Sequence, residues 1–150
     1  TESGVPHFVR IIPSGGDDIT RALSTRLKLA IQAAELTKRA VGLDATNATP
    51  DQRPAVEIVY EIAGEQLTSI RNTLTFHLNS RPGAQLTRII LAGGGSELRG
   101  VGRALAEMTG VPVVQADPLG GVPVGKQMRA SREQVVALTT AIGLTLGVEE

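Results

Sequence analysis

The chain has 150 residues, 41% of them apolar, with 15 Lys+Arg balancing 15 Asp+Glu. That length and apolar content suit one domain with its own core and exclude a disordered chain. Zero net charge argues against non-specific nucleic-acid binding; one Tyr, two Phe and no Trp argue against base-stacking platforms; the absence of Cys removes disulfides, thiol nucleophiles and thiolate metal sites.

Only His7 and His77 offer imidazole, too few for most zinc sites. No apolar run approaches the roughly 20 residues needed to span a bilayer, and no signal-peptide order is visible. Thr1-Glu2-Ser3-Gly4 leads almost at once into Phe8–Ile12, which is β-branched and loosely alternating and so predicts a strand. With no partner strand before it and no initiator Met, the start is expected to be a cut into a larger fold.

Pro13-Ser14-Gly15-Gly16 breaks the strand, and Asp17 or Asp18 is expected to cap a helix. From Ile19, apolar Leu23, Leu27, Ala30, Ala34 and Val41 recur at intervals of three, four or seven. They predict one long helix ending near Gly42, with Arg21, Lys28, Glu35, Lys38 and Arg39 on its opposite face. Leu43–Asp51 reads as a loop. A second long helix follows, striped by Val56, Val59, Ala63, Leu67, Ile70, Leu74 and Leu78, until Asn79-Ser80-Arg81-Pro82-Gly83 stops it.

Arg88–Ala92 predicts a short buried strand running into Gly93-Gly94-Gly95. Ser96 is expected to cap a third helix with Leu98, Val101, Leu105 and Met108 buried, closed by Gly110. Val111–Val114 reads as another strand, its Pro112 placing it at an edge or a strand start. After a turn-rich loop from Gln115 to Lys126, Ser131 with Gln134 forms a capping-box pattern. It opens a last helix through Val135, Leu138, Ile142 and Leu146. Alternating strands and helices predict an α/β fold with a small sheet of about three strands and a helical part inserted between them.

The most specific local signal is the strand-to-glycine-turn segment from Arg88 to Ser96. Glycines let another group approach the backbone because no Cβ intervenes, and a helix N-terminus favours anions or ligand oxygens. A tight turn alone needs one glycine rather than three. The dinucleotide fingerprint and the nucleophile elbow both fail because Leu98 stands where each requires glycine, so Ser96 reads as a cap rather than a nucleophile. Gly120–Gln127 has the spacing and lysine of a phosphate loop. Gln127 replaces the metal-holding hydroxyl, however, and Pro123 stiffens the segment, so that reading is rejected. Glu35 and Lys38, three apart on a helix, ordinarily make a solvated ion pair, and gain a role only if the glycine turn faces them.

Taken in order, Gly15-Gly16-Asp17-Asp18-Ile19-Thr20, Ala34-Glu35-x-x-Lys38, Leu91-Ala-Gly-Gly-Gly-Ser96, Val111–Val114, Asp117-Pro118 and Ala141–Gly147 resemble the second domain of an actin-like ATPase. Glu61-Ile62 and Arg71-x-x-Leu74-x-Phe76 resemble the PilM proteins of type IV pilus assembly in particular, and the chain also ends soon after its Ala-Ile-Gly-Leu helix, as they do. The resemblance covers nearly the whole chain. It implies the second (IIA/IIB-like) half of that fold, with a sheet subdomain at about 1–42 and 85–150 and an inserted helical part at about 43–84.

It further implies that Gly93, Gly94, Gly95 and Ser96 lie against the adenosine of ATP, that Glu35 and Lys38 close its other side, and that Asp117 sits beside the base. Thr139–Gly147 would be the helix leading back to the first domain. The family's two Asp-x-Gly phosphate hairpins, and with them its magnesium and catalytic-water residues, do not occur in this chain, so no ATPase activity is expected of it alone. The implied partners are the missing first domain and a PilN-like cytoplasmic tail. The implied location is the cytoplasm beneath the inner membrane, reached through partners and without direct membrane insertion. The alternatives are an FtsA-like division protein, a sugar-kinase-like enzyme of the same superfamily, and a plain α/β module whose glycine turn serves only internal contacts.

Overall fold

In the computed structural model, residues 6–44, 48–120, 122–123, 125 and 129–146 are described. Their order is α1 (Gly16–Leu27), α2 (Ile31–Val41), α3 (Arg53–Asn79), β1 (Ile89–Leu91), α4 (Val101–Thr109), β2 (Val113–Gln115), α5 (Arg132–Ala137) and α6 (Thr139–Leu146). Short 3₁₀ turns occupy Pro50–Gln52 and Gly94–Glu97. The fold is mixed α/β and mostly helical.

The single long first helix expected from the spacing is two helices. Lys28 turns left-handed (φ 55°, ψ 39°), the Leu29 N–H donates to the Ser24 carbonyl at 3.0 Å, and Ser24 Oγ donates to the Leu29 carbonyl at 2.7 Å. The apolar positions continue across the break because both helices bury the same side. At the start of α1 the N-cap is Gly15; Asp18, in the first turn, accepts the Gly15 N–H at 2.8 Å, so the aspartate works backwards from inside the helix.

Ile19 and Leu23 of α1, Ala34 and Val41 of α2, Val59, Ala63 and Leu67 of α3, and Leu105 of α4 are buried in one shared core. α3 therefore packs directly on α1 and α2. Pro54, in its first turn, costs nothing there because that turn lacks internal N–H bonds.

β1 and β2 pair in parallel, Ile89 with Val113 and Ile90 with Val114, with α4 crossing between them. Ile89, Leu91 and Val113 lie against the core, while Ile90 and Val114 remain 56% and 45% exposed, so the sheet is covered on one face only and β1 is not the buried strand expected. Phe8–Ile12 is not a strand: among the described residues no ladder partner reaches it, and Val9 and Ile11 are exposed. β-branched sequence without a partner's amides and carbonyls gives extended chain only, so the described sheet has two strands, not three.

Ser96 does not cap α4. It lies in the Gly94–Glu97 turn, donating through Oγ to the Gly93 carbonyl at 2.7 Å, and α4 starts after Gly100 at φ 86°. Gly110 closes α4 in a left-handed cap, as the sequence implies. The Ser131 capping box is present: its Oγ accepts the Gln134 N–H at 3.3 Å, and Gln134 Oε1 accepts the Ser131 N–H at 2.9 Å. The last helix nonetheless breaks at Leu138, and it is Val136, not Val135 or Leu138, that is buried. The start at Thr1–Gly4, much of Gly120–Gln127, and Gly147 lie wholly or partly outside the described residues. No helix among the described residues is long and apolar enough to cross a membrane.

Candidate functional site

A cleft of about 790 Å³ lies between the α1–α2 pair and the glycine turn, lined also by Ala63, Leu67 and Ile70 of α3 and by Val136 of α5. Of the residues singled out in the sequence, Glu35, Lys38, Gly94, Gly95 and Ser96 all line it. The glycine turn therefore does face the Glu35–Lys38 pair. Gly93 is not among the lining residues; its φ of +79° makes the turn that presents the next two. Asp117 is not among the lining residues: exposed, it accepts the Leu119 N–H at 3.1 Å and stands near enough to Arg132 to join Glu97 in raising that guanidinium's pKa.

Glu35 and Lys38 belong to a closed network rather than a loose surface pair. Lys38 Nζ donates to Glu35 Oε2 at 2.6 Å, to Thr20 Oγ1 at 2.9 Å and to the Gly16 carbonyl at 3.1 Å. Thr20 Oγ1 donates to Glu35 Oε2 at 2.6 Å, and Arg39 Nε donates to Glu35 Oε1 at 2.8 Å. Lys38 and Glu35 keep side-chain exposures of 13% and 32%, and Thr20 is buried. Burial pushes the Glu35 carboxyl upwards, but the bonds from Lys38, Thr20 and Arg39 outweigh it and bring its pKa down to about 2.

The cleft's other side is tied together by polar bonds. Gln115 Nε2 donates to the Ser96 carbonyl at 2.7 Å, Arg132 Nη2 donates to Gln115 Oε1 at 2.8 Å and to Glu97 Oε1 at 3.1 Å, and Arg39 pairs with Glu133. These bonds seat α5 on the rim. Sequence reasoning missed Thr20 and Glu133 and left Arg39 on a solvated face. Thr20 stands four residues after Gly16, a helical spacing that sets its hydroxyl over that carbonyl (3.2 Å). Nothing local could have paired Arg39 with Glu133, which are 94 residues apart.

The three glycines of this turn differ in what the fold asks of them. Only Gly93 has a positive φ. A Cβ added at Gly93, Gly94 or Gly95 would meet no protein atom within 4 Å. Neither backbone conformation nor internal contact therefore demands glycine at 94 or 95; what lies above them is the open cleft.

Among the described residues no group of three or more His, Asp or Glu is placed to hold a metal ion.

Comparison with known proteins agrees with the family suggested by the motifs. A solved structure described as the PilM-PilN type IV pilus biogenesis complex superposes with a TM-score of 0.68 at 28% sequence identity. The match covers 90% of this chain and 37% of the other, so the chain spans little more than a third of that relative. No curated protein sequence matches the chain. The family described as Type IV pilus assembly protein PilM matches over residues 3–148, nearly the full length. The chain belongs to the PilM family of type IV pilus assembly proteins.

Proposed function

We propose that the cleft binds the nucleoside part of ATP, and that the chain supplies the adenosine half of the site in a PilM-type protein with an actin-like ATPase fold. One observation carries this reading: Gly94 and Gly95 leave open space that neither φ nor contact with the protein explains, in the same cleft that Glu35 and Lys38 line. Bare backbone on one side admits a flat group to close range. On the other side, Glu35 accepts three bonds from the protein and a carboxylate has about four lone-pair sites, which leaves one for a ribose hydroxyl. All three Lys38 protons are engaged, so what Lys38 offers a ligand is its aliphatic stem, a suitable cover for a base.

The charge of the cleft supports a nucleoside rather than phosphates. Asp17, Glu35, Glu97 and Glu133 line it against Lys38 and Arg39 alone, and both cations are bonded to carboxylates. The phosphates would be held by the part of the protein that carries the family's phosphate hairpins. By the same likeness, the intact protein would sit on the cytoplasmic side of the inner membrane and hold a PilN-like cytoplasmic tail; the solved neighbour is a PilM-PilN complex.

The test is a titration of the chain with a fluorescent adenine nucleotide, repeated on Gly95→Val and Lys38→Ala. Saturable binding that both substitutions weaken is expected, since a valine side chain enters the cleft and loss of Lys38 frees Glu35 to turn. Binding untouched by either would overturn the site.

A further inference from the structure

We infer that Arg99, locked between Gly42 and Gly100, is a positioning residue that sets the spacing between the two walls of the cleft. Those walls come from different parts of the chain: α2 carries Glu35 and Lys38, and the segment after β1 carries the glycine turn. Besides the core beneath and the link through α5, where Arg39 pairs with Glu133 and Arg132 with Glu97, they are joined at a junction beyond the end of α2. There the Leu43 N–H donates to the Arg99 carbonyl at 2.6 Å, and Arg99 Nη2 reaches back to the carbonyls of Ala40 at 2.7 Å and Val41 at 2.8 Å.

The last four carbonyls of a helix lack partners within it and carry the negative end of its dipole, so a guanidinium there caps α2 from another segment. The backbones are interlocked as well. A Cβ on Gly42 (φ +58°) would stand 2.7 Å from Arg99 Cβ and from its carbonyl oxygen, and a Cβ on Gly100 (φ +86°) 2.8 Å from the Leu43 oxygen. Two glycines are thus held in left-handed conformations where each faces the other segment at a distance no side chain allows. Arg99 follows the Gly94–Glu97 turn by two residues, so its grip on α2 fixes where that turn stands relative to Lys38. Arg99 is not among the residues that line the cleft.

The effect on ligand affinity rests on the nucleoside reading above; the effect on wall spacing does not. The chain lacks cysteine, so Leu36→Cys on α2 and Glu107→Cys on α4, both exposed, can be spin-labelled as a pair and their distance distribution measured. Arg99→Ala in that background is expected to broaden the distribution and, in the unlabelled protein, to weaken adenosine binding about tenfold, since misplacement by a fraction of an ångström is costly at a two-walled site. Arg99→Lys, which keeps a cation at the α2 carbonyls, is expected to recover part of both effects. An Arg99→Ala variant with an unbroadened distribution overturns the proposal, whatever its melting temperature. Should the alanine variant not fold, Arg99→Lys decides: a distribution wider than wild type supports the proposal and an identical one overturns it. Failure of the unsubstituted chain to bind adenosine would contradict the nucleoside reading and leave the distance measurement to decide this one.

Discussion

Lys38 Nζ lies 2.6 Å from Glu35 Oε2 and turns its two remaining protons to Thr20 and to the Gly16 carbonyl, so one ammonium fastens α2 to the first turn of α1. This makes the pair part of the scaffold as well as a wall of the cleft. A surface ion pair at this helical spacing contributes a few tenths of a kcal/mol; the network around this one, two-thirds or more shielded, should contribute more.

That contribution is expected to depend on pH. The folded Glu35 carboxyl titrates at about 2 against an ordinary 4.5, so its stabilisation is present above pH 4.5 and is lost as pH falls towards 2. Glu35→Gln should cost on the order of 2 kcal/mol at neutral pH, less than the full shift implies because a third of the side chain meets solvent. Urea unfolding of both proteins from pH 7 to pH 2 checks it: the gap should close at the acid end, and a constant gap would refute the network's electrostatic role.

Gly94→Ala and Gly95→Ala should separate stability from binding. With open space at the new methyl and no positive φ at either position, each substitution should leave stability unchanged or raise it by about 0.4–1 kcal/mol through the unfolded chain. Adenosine affinity should fall. Melting temperature and ligand titration on the same samples distinguish this from a turn whose glycines serve internal contacts, where stability would drop instead.

Ser131→Ala should loosen α5 alone. The hydroxyl accepts the Gln134 N–H at a helix of six residues that seats one buried side chain, Val136, so loss of about 1 kcal/mol should be felt locally. Hydrogen exchange at Val135 and Val136 should speed up while the amides of α3 keep their protection. Equal acceleration in both would mean that α5 and the core unfold as one unit.

Leu105→Ala should be the severe core substitution, costing about 2–5 kcal/mol, because Leu105 is fully buried where α4 meets the shared core. Ile90→Ala, half exposed on the bare face of the sheet, should cost far less. Denaturant midpoints of the two rank the faces directly.

The helices were legible wherever local chemistry decides. The α3 stripe through Val59, Ala63 and Leu67, the glycine stop at Gly110 and the Ser131 box all read correctly, because spacing and caps are properties of a few neighbouring residues. The break at Lys28 was not legible, since Leu23, Leu27 and Ala34 keep a helical rhythm across a left-handed turn closed by the Ser24–Leu29 bonds. Phe8–Ile12 carries β-prone residues, but a strand needs a partner, and none is supplied among the described residues. In the site, the glycine turn and the Glu35–Lys38 pair were readable as separate motifs. That they line one cleft and that Arg39 reaches Glu133 are consequences of folding over long sequence distances.

The most direct measurement is an amide NMR titration of the chain with adenosine, alongside AMP and ATP. The expected result is saturable movement of the Gly94, Gly95 and Ser96 amides together with those of Glu35 and Lys38, with little gain in affinity from added phosphates. Movement confined to other surfaces, or affinity that rises steeply with phosphate count while these amides stay still, would contradict the assignment of the cleft as a nucleoside site.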